Sequence, residues 1–225
     1  MSPSEGPVPI VFLFDVDNTL LDNDRVNADL KRHLEQEVGP QGSQCYWAIF
    51  ERLRNELGYA DYLGALQRYR DEYPHEPHLF AVSRFLIDYP FAERVFPGAL
   101  AAVERVKQWG PAVILSDGDV VFQPRKVVRS GLFDAVNGNV LIYVHKEREL
   151  DDVAQRFPAR QYVMVDDKLR LLAAIKKSWG QRVTTVFVRQ GHYALDPKLL
   201  AAYPAADLSL ERIADLSRHD FANLG

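Results

Sequence analysis

Asp15 and Asp17 stand two positions apart directly after the apolar run 9–14, in Asp15-Val16-Asp17-Asn18-Thr19-Leu20, and a second acidic pair, Asp166-Asp167, directly follows the apolar run 162–165. Carboxylates so spaced in a loop at a strand tip can face one ligand. Taken alone, though, acidic residues after strands commonly just satisfy loop backbone donors. The adjacent pair is more demanding, because two carboxylates in a crowded site repel unless a proton or a cation intervenes. Hard oxygen ligands with room for water favour Mg²⁺, and the lack of a Cys/His cluster argues against zinc. Two further stations lie between the pairs. Leu115-Ser116-Asp117-Gly118-Asp119 sets a hydroxyl and a glycine turn just before a helical segment, an arrangement that offers backbone N–H groups to an anion. The plainer role for Ser116 or Asp119 is a helix N-cap. Lys146 follows the run 140–144, where its ammonium can return across the strand tips to neutralise anionic charge, although most loop lysines are simply solvated.

The elements that must position these residues have their own signature. The short apolar, β-branched runs at 9–14, 112–115, 140–144, 162–165 and 183–188 have the composition of buried strands. Helical spacing fills the intervals. Pro97-Gly98 opens a helix that Gly110-Pro111 closes; others are predicted over 121–130, 147–156 and 169–178, with one or two short ones in 196–216. This alternation predicts an α/β fold with a parallel sheet. Between 22 and 93 no strand-like run occurs, while Trp47, Phe50, Leu53 and Leu57, then Leu63, Leu66 and Tyr69, recur at helical intervals. About 70 residues are too many for a loop, so this insertion is predicted to form its own bundle over the carboxyl edge of the first strand. The stripe around Trp47 reads as that bundle's core and not as a cofactor box.

Bulk properties narrow the partners. With 225 residues, 47% hydrophobic and 26% charged, the chain can bury a core of one domain plus a subdomain. A net charge of −4, spread along the chain, argues against a nucleic-acid or anionic-membrane surface, so small partners are expected. The single Cys45 cannot form an internal disulfide, and with no His partner in its own segment it reads as a half-buried bystander. No run reaches the ~18 apolar residues needed to cross a bilayer. Residues 1–9, rich in Ser, Pro and Gly, read as a loose arm and not an export signal, and a cytoplasmic location is expected.

In their order at four successive strand ends, Asp15/Asp17, Ser116, Lys146 and Asp166/Asp167 resemble the four signature motifs of the haloacid dehalogenase-like superfamily, across residues 10–178. Val95 through Trp109 to Ser116, then Gly131-Leu132-Phe133-Asp134, resembles the family core around its second motif. The insertion resembles the family's C1-type helical cap. The resemblance implies a doubly wound, Rossmann-like parallel core over 1–21 and 94–225 with a cap subdomain over 22–93, the first and fourth strands lying side by side where ligands settle. It further implies a Mg²⁺-dependent phosphohydrolase acting on a small phosphorylated metabolite. Asp15 would be the nucleophile and Asp17 the acid/base, with Thr19 steadying the loop. Ser116, the backbone of Asp117 and Gly118, and Lys146 would hold the phosphoryl oxygens. Asp15, the Asp17 carbonyl and Asp167 would bind the metal, with Asp166 as a brace or a ligand through water.

Glu147 stands where relatives often carry proline, and Lys126, which fits an ordinary exposed helical lysine, is the fallback cation. A phosphomutase, a dehalogenase-type hydrolase and a catalytically silent binding module are the alternatives on this fold. The dehalogenases need neither metal nor an acid at position 17, so the intact pairs favour phosphoryl chemistry. Arg25, Arg54, Tyr62 and Arg84 are candidate cap contacts to substrate, though each fits an ordinary surface or cap-packing position better. The cap is expected to move through linkers near 21–24 and 89–95, and the protein to be a monomer or a homodimer.

Overall fold

The structure, a computed structural model, describes residues 7–224, so most of the arm expected at 1–9 lies outside it. Among those residues, β1 (Val8–Phe14), β2 (Ala112–Asp117), β3 (Val140–Tyr143), β4 (Ala159–Asp166), β5 (Val183–Val188) and β6 (Leu208–Leu210) form one parallel sheet in the order β3-β2-β1-β4-β5-β6. The strand side-chain period of two divides the apolar runs between two layers. Ile10, Phe12 and Phe14 of β1 face one layer with Ala112, Ile114, Val163 and Val165; Val11 and Leu13 face the other with Val113, Leu115, Tyr162 and Met164. These runs are apolar throughout because both faces are covered. Each such side chain contributes on the order of 1.5–3 kcal/mol by leaving water. β1 and β4 are in register from Val8↔Ala159 to Phe14↔Val165, which brings Asp15 to the tip of β4.

Between β1 and β2 the chain makes α1 (Asn23–Glu37), α2 (Gly39–Leu57), α3 (Tyr62–Glu72) and α4 (Leu79–Asp88), with no strand among them. Asp22 and Asp61 start α1 and α3 by accepting the N–H groups of Arg25 at 2.9 Å and Gly64 at 2.7 Å. Phe50, Leu53, Leu66 and Tyr69 are buried, as their helical spacing predicts, and Trp47, Leu57 and Leu63 are partly so. A row of ring contacts runs from Trp47 through Phe50, Tyr62 and Phe122 to Phe91, with centroids 4.8–5.6 Å apart, so the apolar interior of this helical insertion, called the cap below, is continuous with one layer of the core. The two linkers are stitched together. The Asp22 N–H donates to the Arg94 carbonyl at 2.8 Å and the Phe96 N–H to the Leu20 carbonyl at 2.9 Å.

After the cap, α5 (Ala99–Val106), α6 (Phe122–Arg129) and α7 (Leu132–Ala135) pack on the layer of Phe12. α8 (Leu150–Arg156) and α9 (Leu169–Trp179) cover the other face. α10 (Gly191–Leu195) and α11 (Pro197–Ala202) then lead to β6. The helix predicted over 147–156 is interrupted: Lys146–Arg148 is a 3-10 turn, and α8 begins only at Leu150. β6 was not anticipated, because three residues, Leu-Ser-Leu, carry too short a pattern to register as a strand.

Candidate active site

All four acidic, hydroxyl and lysine stations gather at the carboxyl edge of the sheet, around the β1/β4 junction. Asp15 directly follows β1 and is buried, with its backbone N–H donating to the Val165 carbonyl at 3.0 Å. Thr19 returns to it through the loop 16–21, where its hydroxyl donates to Asp15 Oδ2 at 3.3 Å. That loop turns at Asn18, which adopts φ 62°, a left-handed conformation asparagine tolerates. The Asn18 carboxamide oxygen accepts the N–H groups of Asn23 at 3.0 Å and Asp24 at 3.1 Å, tying the loop to the start of α1.

Lys146 is fully buried, and its ammonium lies 2.6 Å from Asp15 Oδ1 and 2.7 Å from Asp166 Oδ2, with the Leu115 carbonyl at 3.3 Å. Burial alone would depress its pKa, but the carboxylates of Asp15, Asp166 and Asp117 outweigh that and hold it above the usual lysine range. Glu147, in place of the proline, leaves this geometry intact; the 3-10 turn starting at Lys146 aims the side chain inward. The Lys146 N–H also donates to Asp117 Oδ1 at 2.7 Å. Ser116 is buried and its hydroxyl accepts from Gln123 at 3.0 Å, while Asp119 takes the N–H groups of Val121 and Phe122 ahead of α6 at 2.8 and 2.7 Å. Val121 is the N-cap of α6, and it is Asp119, not Ser116, whose side chain takes the N–H groups at its start. Gly118 packs so closely that a Cβ there would come within 2.6 Å of Gln123.

Asp166 Oδ1 accepts the Lys168 N–H at 2.8 Å, which makes it a brace at the turn after β4. Asp167 is different. It is fully buried, and among the described residues neither of its oxygens has a hydrogen-bond partner. Burial pushes its carboxyl well above the usual carboxylate range, and burial also raises Asp166 and Asp117. One oxygen each of Asp15, Asp166 and Asp167 lie within 4.8 Å of one another, a seat that matches a cation. An unpaired buried carboxylate is costly unless such a charge arrives.

Asp17 points to a cavity of about 430 Å³ between core and cap, whose walls include Asn23, Phe50, Arg54, Tyr62 and Tyr193. Arg54 and Tyr62 thus line this cavity, where ordinary surface or packing positions are the plainer expectation. Arg25 and Arg84 do not: they lie on exposed helix faces, 3.3 Å from Asp29 and 4.0 Å from Asp88. Trp47 lines the cavity as well as packing in the cap.

The exposed position expected for Lys126 is overturned. It is fully buried, and its ammonium donates to Asp17 Oδ1 at 2.6 Å and Asn23 Oδ1 at 3.0 Å. The signal was present in the spacing, since Phe122, Gln123, Lys126 and Val127 make one buried helix face. Contacts between residues far apart in the chain gave no local signal. His192 and Tyr193 of α10 reach the cap, where the His192 N–H donates to Asp24 at 2.8 Å and the Arg54 guanidinium donates to the Tyr193 hydroxyl.

The haloacid dehalogenase-like hydrolase family matches the sequence over residues 11–178. A crystal structure of a candidate haloacid dehalogenase-like hydrolase from Burkholderia xenovorans LB400 is 65% identical, covers 95% of this chain and 100% of its own, and superposes with a TM-score of 0.92. More distant structures share the fold. A candidate hydrolase of the same family from Bacillus subtilis, YfnB bound to magnesium, is 16% identical with a TM-score of 0.60, over 94% of this chain and 98% of its own. L-2-haloacid dehalogenase from Xanthobacter autotrophicus, with chloropropionic acid covalently bound, is 18% identical with a TM-score of 0.60, over 94% and 97%. No curated protein matches the chain. Among the described residues no helix is long and apolar enough to cross a membrane. The four motif stations are thus part of a likeness that runs through most of the sequence, and the chain belongs to the haloacid dehalogenase-like hydrolases.

Proposed function

We propose that this hydrolase is a Mg²⁺-dependent phosphatase for a small phosphate monoester, working through an aspartyl-phosphate on Asp15. The observation that carries the reading is the buried Asp167 carboxylate, unpartnered beside Asp15 and Asp166 while Lys146 compensates those two. The donor set fits a hard divalent cation. Asp15 and Asp167 would hold it together with the Asp17 carbonyl, and Asp166 would brace the pair. When bound, Mg²⁺ offsets the charge of the cluster and of the phosphoryl oxygens.

The chain's own residues then divide the work. A carboxylate oxygen of Asp15 bonds to phosphorus as the ester oxygen departs, and Asp17 gives that oxygen a proton. Asp17 next takes a proton from water, whose oxygen displaces Asp15 and releases inorganic phosphate. Ser116, the backbone following it and Lys146 hold the phosphoryl oxygens, so most of the catalysis is positioning and charge stabilisation. Arg54 and Tyr62 place the leaving group in the cavity.

A dehalogenase on the same fold has no use for the carboxylate at position 17 or for a cation seat, which favours phosphoryl over carbon chemistry here. The test is turnover of p-nitrophenyl phosphate and a panel of phosphate esters with Mg²⁺ or with EDTA, beside chloride release from 2-chloropropionate. Turnover that needs Mg²⁺ and disappears in Asp15→Asn is expected. Chloride release alone, or an Asp15→Asn protein that still turns over, ends the reading.

A further inference from the structure

The mechanism above leaves Lys126 without a task, yet it is fully buried on α6 against the acid/base. Its ammonium donates to Asp17 at 2.6 Å and to the Asn23 side-chain oxygen at 3.0 Å, and it lies 5.4 Å from the centre of the Phe122 ring and 6.0 Å from that of Tyr62. Asp17 and Phe122 belong to the core. Asn23 and Tyr62 are the first residues of cap helices α1 and α3. The polar contacts continue into the cap, for Asn23 Nδ2 donates to the Tyr62 hydroxyl at 3.3 Å and that hydroxyl donates to Asn27 at 2.6 Å.

A buried ammonium opposite one carboxylate is weak support for the fold, because desolvation of both groups offsets most of their attraction. What so short a charge-assisted contact does supply is direction: it holds Asp17 Oδ1, and with it the orientation of the carboxylate at the cavity wall. Half of what orients the ammonium comes from the cap. We propose that Lys126 is a positioning residue for Asp17, and that Asn23 and Tyr62 complete its hold, so that Asp17 is aimed for proton transfer when the cap is seated. The inference rests on the phosphatase reading. In the second half-reaction Asp17 takes a proton from water, the water oxygen bonds to phosphorus, and the phosphorus bond to Asp15 breaks with its electron pair returning to that carboxylate. A misdirected Asp17 slows both proton transfers; p-nitrophenolate, a weakly basic leaving group, departs without needing the first, so with that substrate breakdown is the step that suffers and the aspartyl-phosphate accumulates.

The test uses full-length Mg²⁺-loaded protein with p-nitrophenyl phosphate, reading kcat, KM and the phosphoenzyme fraction by intact-protein mass spectrometry after acid quench. Lys126→Met is expected to lower kcat by about 10–100-fold, less than the loss of a whole acid–base group because Asp17 itself remains, with KM within about threefold and more phosphoenzyme at steady state. Asn23→Ala is expected to do the same more weakly. In an Asp17→Asn background, Lys126→Met should add nothing to the single-turnover rate of phosphoenzyme formation, since it acts through the group already removed. A KM rise with kcat intact, a kcat loss without phosphoenzyme build-up, or an additive loss in the double variant overturns the proposal. Should Lys126→Met not fold, Asn23→Ala decides among the same outcomes. A wild-type protein that never becomes phosphorylated removes the phosphatase reading and this one with it, whereas a phosphorylated wild type with an indifferent Lys126→Met removes this one alone.

Discussion

Asp15, Asp166 and Asp167 put three carboxylates into one small buried volume, and Lys146 is the ammonium in contact with two of them. Removing it leaves Asp15 and Asp166 without an ammonium in contact, offset only by the more distant charge of Lys168. Breaking a buried pair from one side costs about 3–5 kcal/mol, so Lys146→Met is expected to lose that order of stability in metal-free buffer. Because a cation that binds only the folded state adds stability by mass action, Mg²⁺ should restore part of the loss. Denaturant unfolding with and without Mg²⁺ checks this, and a variant as stable as wild type without metal contradicts it. Lys146, Asp15 and the Asp166-Asp167 pair were legible in the sequence because each stands where an apolar run stops. Lys126 was not. A lysine on a short helix is exposed by default, and only its spacing from Phe122 hinted otherwise; the carboxylate that compensates it lies 109 residues away.

At the scale of elements, α6 carries more of the site than its eight residues suggest. It supplies Gln123 to Ser116, Lys126 to Asp17 and Phe122 to the row of rings, and its start is held by Asp119. Asp119→Ala removes the acceptor of two backbone N–H groups, at a cost of about 0.5–2 kcal/mol in stability. Since the frayed turn also carries Phe122 and Gln123, kcat should fall by more than the small loss of folded protein explains. Paired measurement of the denaturation midpoint and kcat tests this; activity that tracks the folded fraction refutes it. Five of the six strands were legible, since continuous apolar runs bounded by polar loops leave few other readings. β6 and α10 were not, because three- and five-residue elements complete less than one period of any pattern. Their places are set by what they pack on, as when Thr185 of β5 and Asp207 ahead of β6 exchange hydrogen bonds of 2.8–3.0 Å.

For the whole molecule the question is what seats the cap on the core. Part of the answer is tertiary and gave no sequence signal: Arg129 of α6 donates to the carbonyls of Asp88 and Tyr89 where α4 ends, at 3.2 and 3.4 Å. The other part is a charge cluster at the return linker. Asp29 of α1 accepts the Tyr89 hydroxyl at 2.6 Å and lies 3.2 Å from Arg94, which in turn donates to the Tyr89 oxygen at 2.7 Å. Burial raises the Asp29 pKa, but the Tyr89 hydroxyl and the guanidinium groups of Arg25, Arg94 and Arg32 outweigh it, so the folded value lies below the usual one. A carboxyl depressed by folding contributes stability above its unfolded pKa, near 3.9, and loses it as pH falls through the lower folded value. Asp29→Asn should therefore be less stable than wild type at neutral pH by on the order of 1 kcal/mol, allowing for solvent screening of the partly exposed arginines. As pH falls below the unfolded value near 3.9 the difference should shrink, because the wild-type carboxyl is then increasingly protonated too. Thermal or urea unfolding of both proteins between pH 7 and pH 3, at fixed ionic strength, measures it. A stability gap that stays constant across that range means the cluster does not hold the linker through charge, and the cap is seated by its rings and backbone contacts alone.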